Sequence, residues 1–426
     1  MDTGSLLKSL LNIAGYTQKD FAGMISLSPS TFSKIINGKY QIHSSDTVPF
    51  STNCARILAQ KIYEHNCYYK LGGIFPIICK FSSRQNLEHF FFLAFQYVIN
   101  QDRERADESS LTKNASQHFV GTKEVLYMYC IINSDYLQDE TENDDVLEYI
   151  STVPRFFGNY ANFMDQALIL PPQLSKRVTF NQFFNPDQCK SWAKDYSTNI
   201  ITTTYQMAQQ MDLYFSRNKV LSDTPFQLLK GKYIILYSQQ LDGTISMTLI
   251  RNVYELERLE EHISQMLDGA ELRSFTQDNI EEYLTQSESK DYQLKRKVEL
   301  LVKLNGTDSI DGHAITSWLE NFFAELKQND CSIYIGSDLL HSFLFDNQIF
   351  VPQITNLDLS MSERIDILNL IKNHSREKDS SIYVVNAPLD SLTIECNDEM
   401  SLLCLFDPVH EKAKYHFFAT DILRPG

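Results

Sequence analysis

Residues 17–38, TQKDFAGMISLSPSTFSKIING, read as two short amphipathic helices separated by a three-residue turn. Thr17 is placed to cap the first helix, and Asp20 follows three residues later, where a carboxylate favours the positive first turn. Phe21, Ala22 and Ile25 form one apolar face at helical spacing. Ser26-Leu27-Ser28 makes the turn and Ser28 caps the second helix. Pro29 stands at that helix's first position, where a missing N–H costs nothing. The second helix is expected to bury Phe32, Ile35 and Ile36 and to stop at Asn37-Gly38. Its other face, Ser30, Thr31, Ser33 and Lys34, is short, polar and basic. A helix packed on one side, with small hydrogen-bonding groups on the other, suits the major groove of duplex DNA.

The same register extends in both directions. Leu6, Leu7, Leu10, Leu11 and Ala14 give an earlier apolar helix face, and Ala55, Leu58, Ala59 and Ile62 a later one. On these residues, positions 5–65 resemble the lambda-repressor-like, or Cro/repressor (XRE), helix-turn-helix domain. The resemblance implies that Gln18 grips a phosphate, that Pro29, Ser30 and Lys34 face base edges, and that Asn37 to Tyr40 touch backbone. With their neighbours, the expected DNA-contacting set is Gln18, Lys19, Ser28, Pro29, Ser30, Thr31, Lys34, Asn37, Lys39 and Tyr40. Two positions depart from the family's habit. Ser26 stands where a Gly is frequent, and Pro29 replaces a polar reader.

Charge separates this segment from the rest. The chain of 426 residues carries a formal charge of −16. Residues 1–70 hold seven basic and four acidic side chains, a balance of +3, which leaves −19 beyond them. A mildly basic end can meet phosphate while an acidic body is repelled by it. The length exceeds one hydrophobic core, and 43% apolar with 12% aromatic residues excludes a disordered chain. Eight cysteines are scattered singly, with no CxxC and no His/Cys cluster at ligand spacing, so reduced thiols and no metal are expected. The N-terminus lacks a leader pattern, and the apolar runs Leu71–Cys79 and Phe90–Phe95 are too short to span a bilayer. A cytoplasmic protein is the expectation.

Three regions follow: a helix-turn-helix domain over 1–70, a mainly helical region over 71–225, and an α+β domain over 226–426. Residues 40–52 read as a polar, Pro-interrupted loop before the fourth helix. The middle region carries a stripe of Leu87, Phe90, Phe91, Ala94, Phe95 and Val98, followed by the charged stretch 101–110. The charged runs 101–110 and 138–145 read as solvated loops, and Trp192 to Phe215 as a long helix. In the last region, Lys232–Gln239 and Gly243–Ile250 flank the turn signal Leu241-Asp242-Gly243. Ser360-x-x-Glu363 is a capping-box signature, and strands are expected at 331–335, 381–386, 391–396, 401–407 and 414–420. The fold class is therefore multidomain, with an all-α head, a helical middle and an α+β body containing antiparallel hairpins.

The chain contains no GxGxxG, GxxxxGK[ST], HExxH or GxSxG. His410 and His416 lie near Asp407, where an exposed turn is the simpler expectation than a site. No catalytic residues, enzyme activity or cofactor are expected. The leading expectation is a sequence-specific transcriptional regulator acting as a homodimer on double-stranded DNA. Its body would dimerise and sense an effector: a peptide, a small molecule or a protein. One alternative is a peptide-sensing regulator of the Gram-positive type. Another is an enzyme or phage-defence effector that carries the helix-turn-helix for autoregulation.

Overall fold

The computed structural model describes residues 1–106, 116–138, 146–154, 160, 163–164, 166–169, 177–185, 204, 207–208, 210–218, 224–276, 279–280, 312–328, 332–346, 359–386, 391–395, 400–407 and 412–419. The Pro171-Pro172 pair, Pro186, Trp192, His410 and most of the 138–145 run lie outside them. Two units are distinguished. The first comprises Met1–Arg155, Asn159–Val178 and Ser222–Gln265; the second comprises Phe156–Gly158, Thr179–Leu221 and Met266–Gly426.

In the first unit, α1 (Thr3–Ala14), α2 (Gln18–Met24), α3 (Pro29–Ile36) and α4 (Ser44–Glu64) come in succession. Asp2 opens α1 with a capping box: its carboxylate accepts from the Ser5 N–H at 2.8 Å, and Ser5 Oγ accepts from the Asp2 N–H at 3.1 Å. A Cβ on Gly4 would lie 2.2 Å from the Ile36 carbonyl oxygen, so only glycine lets α1 meet the end of α3 this closely. α4 begins eight residues or so before the expected place, and 44–52 is helix rather than loop. Pro49 lies in its second turn, where it forfeits one N–H bond, but the buried stripe Thr47, Ser51, Cys54, Ala55, Leu58, Ala59 and Ile62 runs through it. Packing of that stripe outweighs the proline.

A 3-10 helix at Cys67–Gly73 leads into the Ile77–Cys79 strand, which pairs antiparallel with Ala167–Ile169. α5 (Arg84–Ala106) buries the expected stripe, with Phe90 at the centre of a ring cluster: Phe75 at 4.9 Å, Phe81 at 5.2 Å and Tyr127 at 5.6 Å. Residues 101–106, expected in a solvated loop, are the last turns of α5. α6 (Thr122–Leu137) is buried on nearly every side. Its polar residues are bonded: Ser134 Oγ donates to the Ile77 carbonyl at 3.0 Å, and Asn133 Oδ1 accepts from Gln227 at 2.9 Å and Tyr233 at 2.8 Å. Burial pushes the Cys130 thiol well up, helped by a thiol contact with Cys79.

Five strands of this unit lie side by side, each antiparallel to the next, in the order Gln117–Val120, Ile245–Ile250, Tyr233–Gln239, Phe226–Leu229, Val146–Ser151. The hairpin turn forms where expected, with Gly243 at φ 84° and the Thr244 N–H donating to Asp242 Oδ1 at 2.9 Å. That bond, with others around it, holds the Asp242 carboxyl below its ordinary value. α7 (Val253–Leu267) follows.

In the second unit, Asp212–Arg217 pairs parallel with Thr179–Phe184 and antiparallel with Glu271–Leu272. The expected long helix ending at Phe215 is thus overturned at its C-terminal end, where Leu213 and Phe215 are buried within a strand. Together with the short strands at 77, 117, 146, 167 and 177, this makes the described part of 71–225 a mixture of helix and strand. A six-stranded sheet has the order Ser274–Thr276, Lys412–Ala419, Met400–Asp407, Ser391–Glu395, Ser332–Gly336, Ile382–Val385, with only the last pair parallel. α8 (Gly312–Gln328) precedes this last pair, and α9 (Ser337–Asp346) and α10 (Met361–Ser375) lie in the connection between its strands. The Ser360–Glu363 capping box forms as expected.

His416 is fully buried rather than in an exposed turn. Its Nδ1 pairs with Ser274 Oγ at 2.8 Å, and Ser274 Oγ accepts from the Phe215 N–H at 2.7 Å. Lys414 and Asp212, both buried, form an ion pair at 3.0 Å, and the ammonium lies 4.9 Å from the centre of the Tyr214 ring. Lys414 and His416 are neighbours on one face of their strand, which turns inward in this unit.

Candidate nucleic-acid interface

The geometry around α2 and α3 is built from local hydrogen bonds that repeat three times. At the end of α1, the Tyr16 N–H reaches the Leu11 carbonyl at 3.1 Å and the Gly15 N–H reaches Asn12 at 3.3 Å, with Gly15 at φ 71°. At the end of α2, the Leu27 N–H reaches Ala22 at 2.9 Å and the Ser26 N–H reaches Gly23 at 3.2 Å, with Ser26 at φ 60°. At the end of α3, the Lys39 N–H reaches Lys34 at 2.8 Å and the Gly38 N–H reaches Ile35 at 3.0 Å, with Gly38 at φ 67°. Each is a Schellman stop, and each needs a left-handed residue. Glycine supplies two of them freely, whereas Ser26 adopts the same conformation against the clash of its Cβ.

Both helix starts are capped by side chains. Thr17 Oγ1 accepts from the Asp20 N–H at 3.1 Å and donates to the Asp20 carboxylate at 2.7 Å. Ser28 Oγ accepts from the Thr31 N–H at 3.1 Å and contacts the hydroxyls of Ser30 at 2.9 Å and Thr31 at 2.8 Å. Beneath the turn, Phe21 and Phe32 are fully buried with ring centres 5.6 Å apart, and Tyr16 lies 6.0 Å from Phe21. The apolar positions expected of α1–α3 are all buried.

The polar residues singled out from the sequence fall on the opposite side. Gln18 and Lys19 are exposed on the first turn of α2, and Pro29, Ser30 and Lys34 are exposed along α3. Thr31 is half-buried. Asn37, Lys39 and Tyr40 are exposed on the exit from α3. Four of these side chains have hydrogen bonds of their own: Ser28 is the cap and meets the hydroxyls of Ser30 and Thr31, and Asn37 Nδ2 donates to the Ser33 carbonyl at 2.8 Å. Lys34 and Lys39 make no hydrogen bond or ion pair among the described residues, so their ammonium groups are open to a ligand. Surface lysines and small hydroxyls on one helix face can bind phosphates and base edges.

A part of this region that the sequence did not reveal is its tie to α5. Arg103 donates twice to the Ile42 carbonyl, from Nε at 3.1 Å and Nη2 at 2.7 Å, and also bonds Thr47 Oγ1. The Thr3 N–H donates to Asp102 Oδ2 at 2.9 Å. The end of α5 thereby holds the α3–α4 loop and the first turn of α1. Residues 42 and 103 are 61 positions apart, and a charged helix end reads the same whether it is solvated or bonded.

Among the described residues, no group of three or more His, Cys, Asp or Glu side chains is placed to hold a metal ion, and no helix is long and apolar enough to cross a membrane. No family model matches the chain, and no curated protein does. Among solved structures, 59% of this chain is similar to 99% of TrmBL2, described as an archaeal chromatin protein that shows a novel mode of DNA binding, at 10% identity and a TM-score of 0.23. A likeness that shallow carries no argument.

Proposed function

We propose that this chain is a sequence-specific DNA-binding regulator in which α2, the Ser26–Ser28 turn and α3 form a helix-turn-helix of the Cro/repressor type. The observation that carries the reading is the division of α3 into two faces. Phe32, Ile35 and Ile36 are buried, while Pro29, Ser30 and Lys34 are exposed and Lys34 is unpaired among the described residues. In this reading α3 enters the major groove, with Ser30 and Lys34 at base edges and Thr31 beside them. Gln18 and Lys19, with Lys39 and Tyr40, meet phosphates on either side. Binding, not catalysis, is the activity. The protein acts as a homodimer on paired half-sites, and the residues beyond 70 dimerise and respond to an effector.

The test uses the full-length protein as bait for sheared DNA of its native host, followed by sequencing of what is retained. A regulator recovers one or a few discrete sites, and competition with unrelated duplex at physiological salt leaves them bound. Recovery of the whole genome without preference, or of nothing, would overturn the reading.

A further inference from the structure

At the junction of α1, α3 and α5 there is a cavity of about 310 Å³. Its apolar wall consists of Ile35 from α3, Ile42 from the following loop, and Ile99 from α5, all buried. Tyr40 and Gly38, on the exit of α3, close another side. The charged lining comes in both signs: Asp2 and Asp102 on one hand, Arg103 and Arg105 on the other.

These four charges are not equally available. Arg103 is spent on Ile42 and Thr47, as described above. Arg105 is exposed and makes no hydrogen bond or ion pair among the described residues. Asp102 gives one oxygen to the Thr3 N–H and keeps the other. Asp2 caps α1 through one oxygen, and those bonds hold its carboxyl low although partial burial opposes them, so it stays ionised. Among the described residues, the cavity lining therefore offers one cation whose donors are all open, carboxylates with open oxygens, and an isoleucine wall between helices.

We propose that this cavity binds a free α-amino acid with an apolar side chain. The ligand's carboxylate meets Arg105, its ammonium meets Asp102 with Asp2 nearby, and its side chain lies on Ile35, Ile42 and Ile99. A singly charged ligand satisfies only half of this lining and leaves the other charge facing it unpaired, which disfavours simple acids and amines. The volume accommodates a side chain from leucine to phenylalanine. Because Gly38 and Tyr40 belong to the exit of α3, an occupant touches the same segment that the DNA reading uses.

Isothermal titration of the full-length protein, without DNA, tests the site with three probes: L-phenylalanine, 3-phenylpropanoate, which lacks the ammonium, and phenethylamine, which lacks the carboxylate. L-Phenylalanine should bind saturably, and each truncated probe about tenfold or more weaker, as expected for loss of one charge-assisted bond. Arg105→Ala should weaken L-phenylalanine about tenfold and leave phenethylamine unchanged, with Arg105→Lys restoring part of the loss. Asp102→Asn keeps an oxygen for the Thr3 N–H and should weaken L-phenylalanine while sparing 3-phenylpropanoate. Thermal melts matching the parent show that each variant is folded. No saturable heat from L-phenylalanine or L-leucine up to about 5 mM, a range that captures millimolar affinities, would overturn the proposal. Equal binding of the two single-charge probes and the amino acid, or binding indifferent to Arg105→Ala, would do the same. With no DNA in the cell, failure here and failure of the DNA reading are separate results.

Discussion

Lys34 and Ser30 are four residues apart on α3 and share its exposed side, while Phe32, Ile35 and Ile36 take the other. If the ammonium meets a base edge, Lys34→Ala should cost about 1–3 kcal/mol on the native site and relax specificity at one position. Gln18→Ala should instead weaken all sequences alike, because a phosphate contact carries no sequence information. Competition binding on the recovered site and on scrambled duplex separates the two, and an unchanged Lys34→Ala would overturn the proposed placement of α3 in the groove. Ser26 raises a different question, since it holds φ 60° in a stop that glycine fills at the ends of α1 and α3. The left-handed form costs a non-glycine residue roughly 1–2 kcal/mol, partly offset by the extra entropy glycine loses on folding, about 0.5–1 kcal/mol. Ser26→Gly should therefore stabilise the protein by about 0.5–1 kcal/mol in urea unfolding; a destabilised variant would mean that the hydroxyl contributes more than the strain. Asp2 adds a pH dependence. Its partial burial raises the carboxyl, but the bonds from the Ser5 and Gly4 backbone outweigh this and the net shift is downward. A lowered folded value means that the stabilisation is complete above the ordinary aspartate range near about 4 and fades as pH falls through the folded value. Between pH 6 and 3 the parent should lose more stability than Asp2→Asn, which still caps α1 but cannot titrate; parallel pH profiles would show that the charge is irrelevant.

At the scale of elements, the readable signals were those confined to one turn of chain. Thr17 with Asp20, Ser28 with Pro29, Asn37 with Gly38, and Ser360 with Glu363 each carry their partner within three residues, and all four form. The Asp242-Gly243 hairpin is legible for the same reason. Pro49 points to a loop only as a local penalty, which the buried stripe of α4 overrides. The short strands between 77 and 217 escaped because three to eight residues offer too few alternations to distinguish from a helix. Ser274 and His416 meet across 142 positions, a distance no pattern spans. In the candidate interface, the exposed lysines were legible and the support behind them was not. Arg103 is the clearest case, holding the Ile42 carbonyl through two bonds. Arg103→Gln should leave that carbonyl short of a donor and cost about 1–3 kcal/mol. Hydrogen exchange should quicken across residues 38–47 but not in α2. Uniform acceleration through α1–α4, or none, would mean that Arg103 does not hold this loop.

For the whole molecule, the proposed DNA reading implies two copies on one duplex. The first 70 residues carry only +3, whereas the remainder carries −19 and is repelled by phosphate. In the proposed reading one α3 would present two or three side chains to base edges, each worth about 1–3 kcal/mol of discrimination. On that reading a single copy with so few phosphate contacts would fall short of the nanomolar affinity typical of specific sites, and a second half-site would supply the difference. Dimer contacts are expected outside α1–α4, whose apolar residues are almost all buried; Met24 and Val48, at 50% and 53% exposed, are the largest aliphatic exceptions. On the same reading the acidic body would have to stay clear of the duplex while two α3 helices entered successive major grooves on one side. Retained DNA should therefore contain inverted half-sites about 10 base pairs apart centre to centre, or a whole-turn multiple. Light scattering at micromolar protein should give about twice the 49.3 kDa chain mass. Shifting one half-site by half a turn should weaken binding steeply, because the second copy then faces the wrong side of the duplex. A monomer with and without the recovered DNA, or indifference to that half-turn shift, would rule the paired arrangement out while leaving the single-site contact of Lys34 open to its own test.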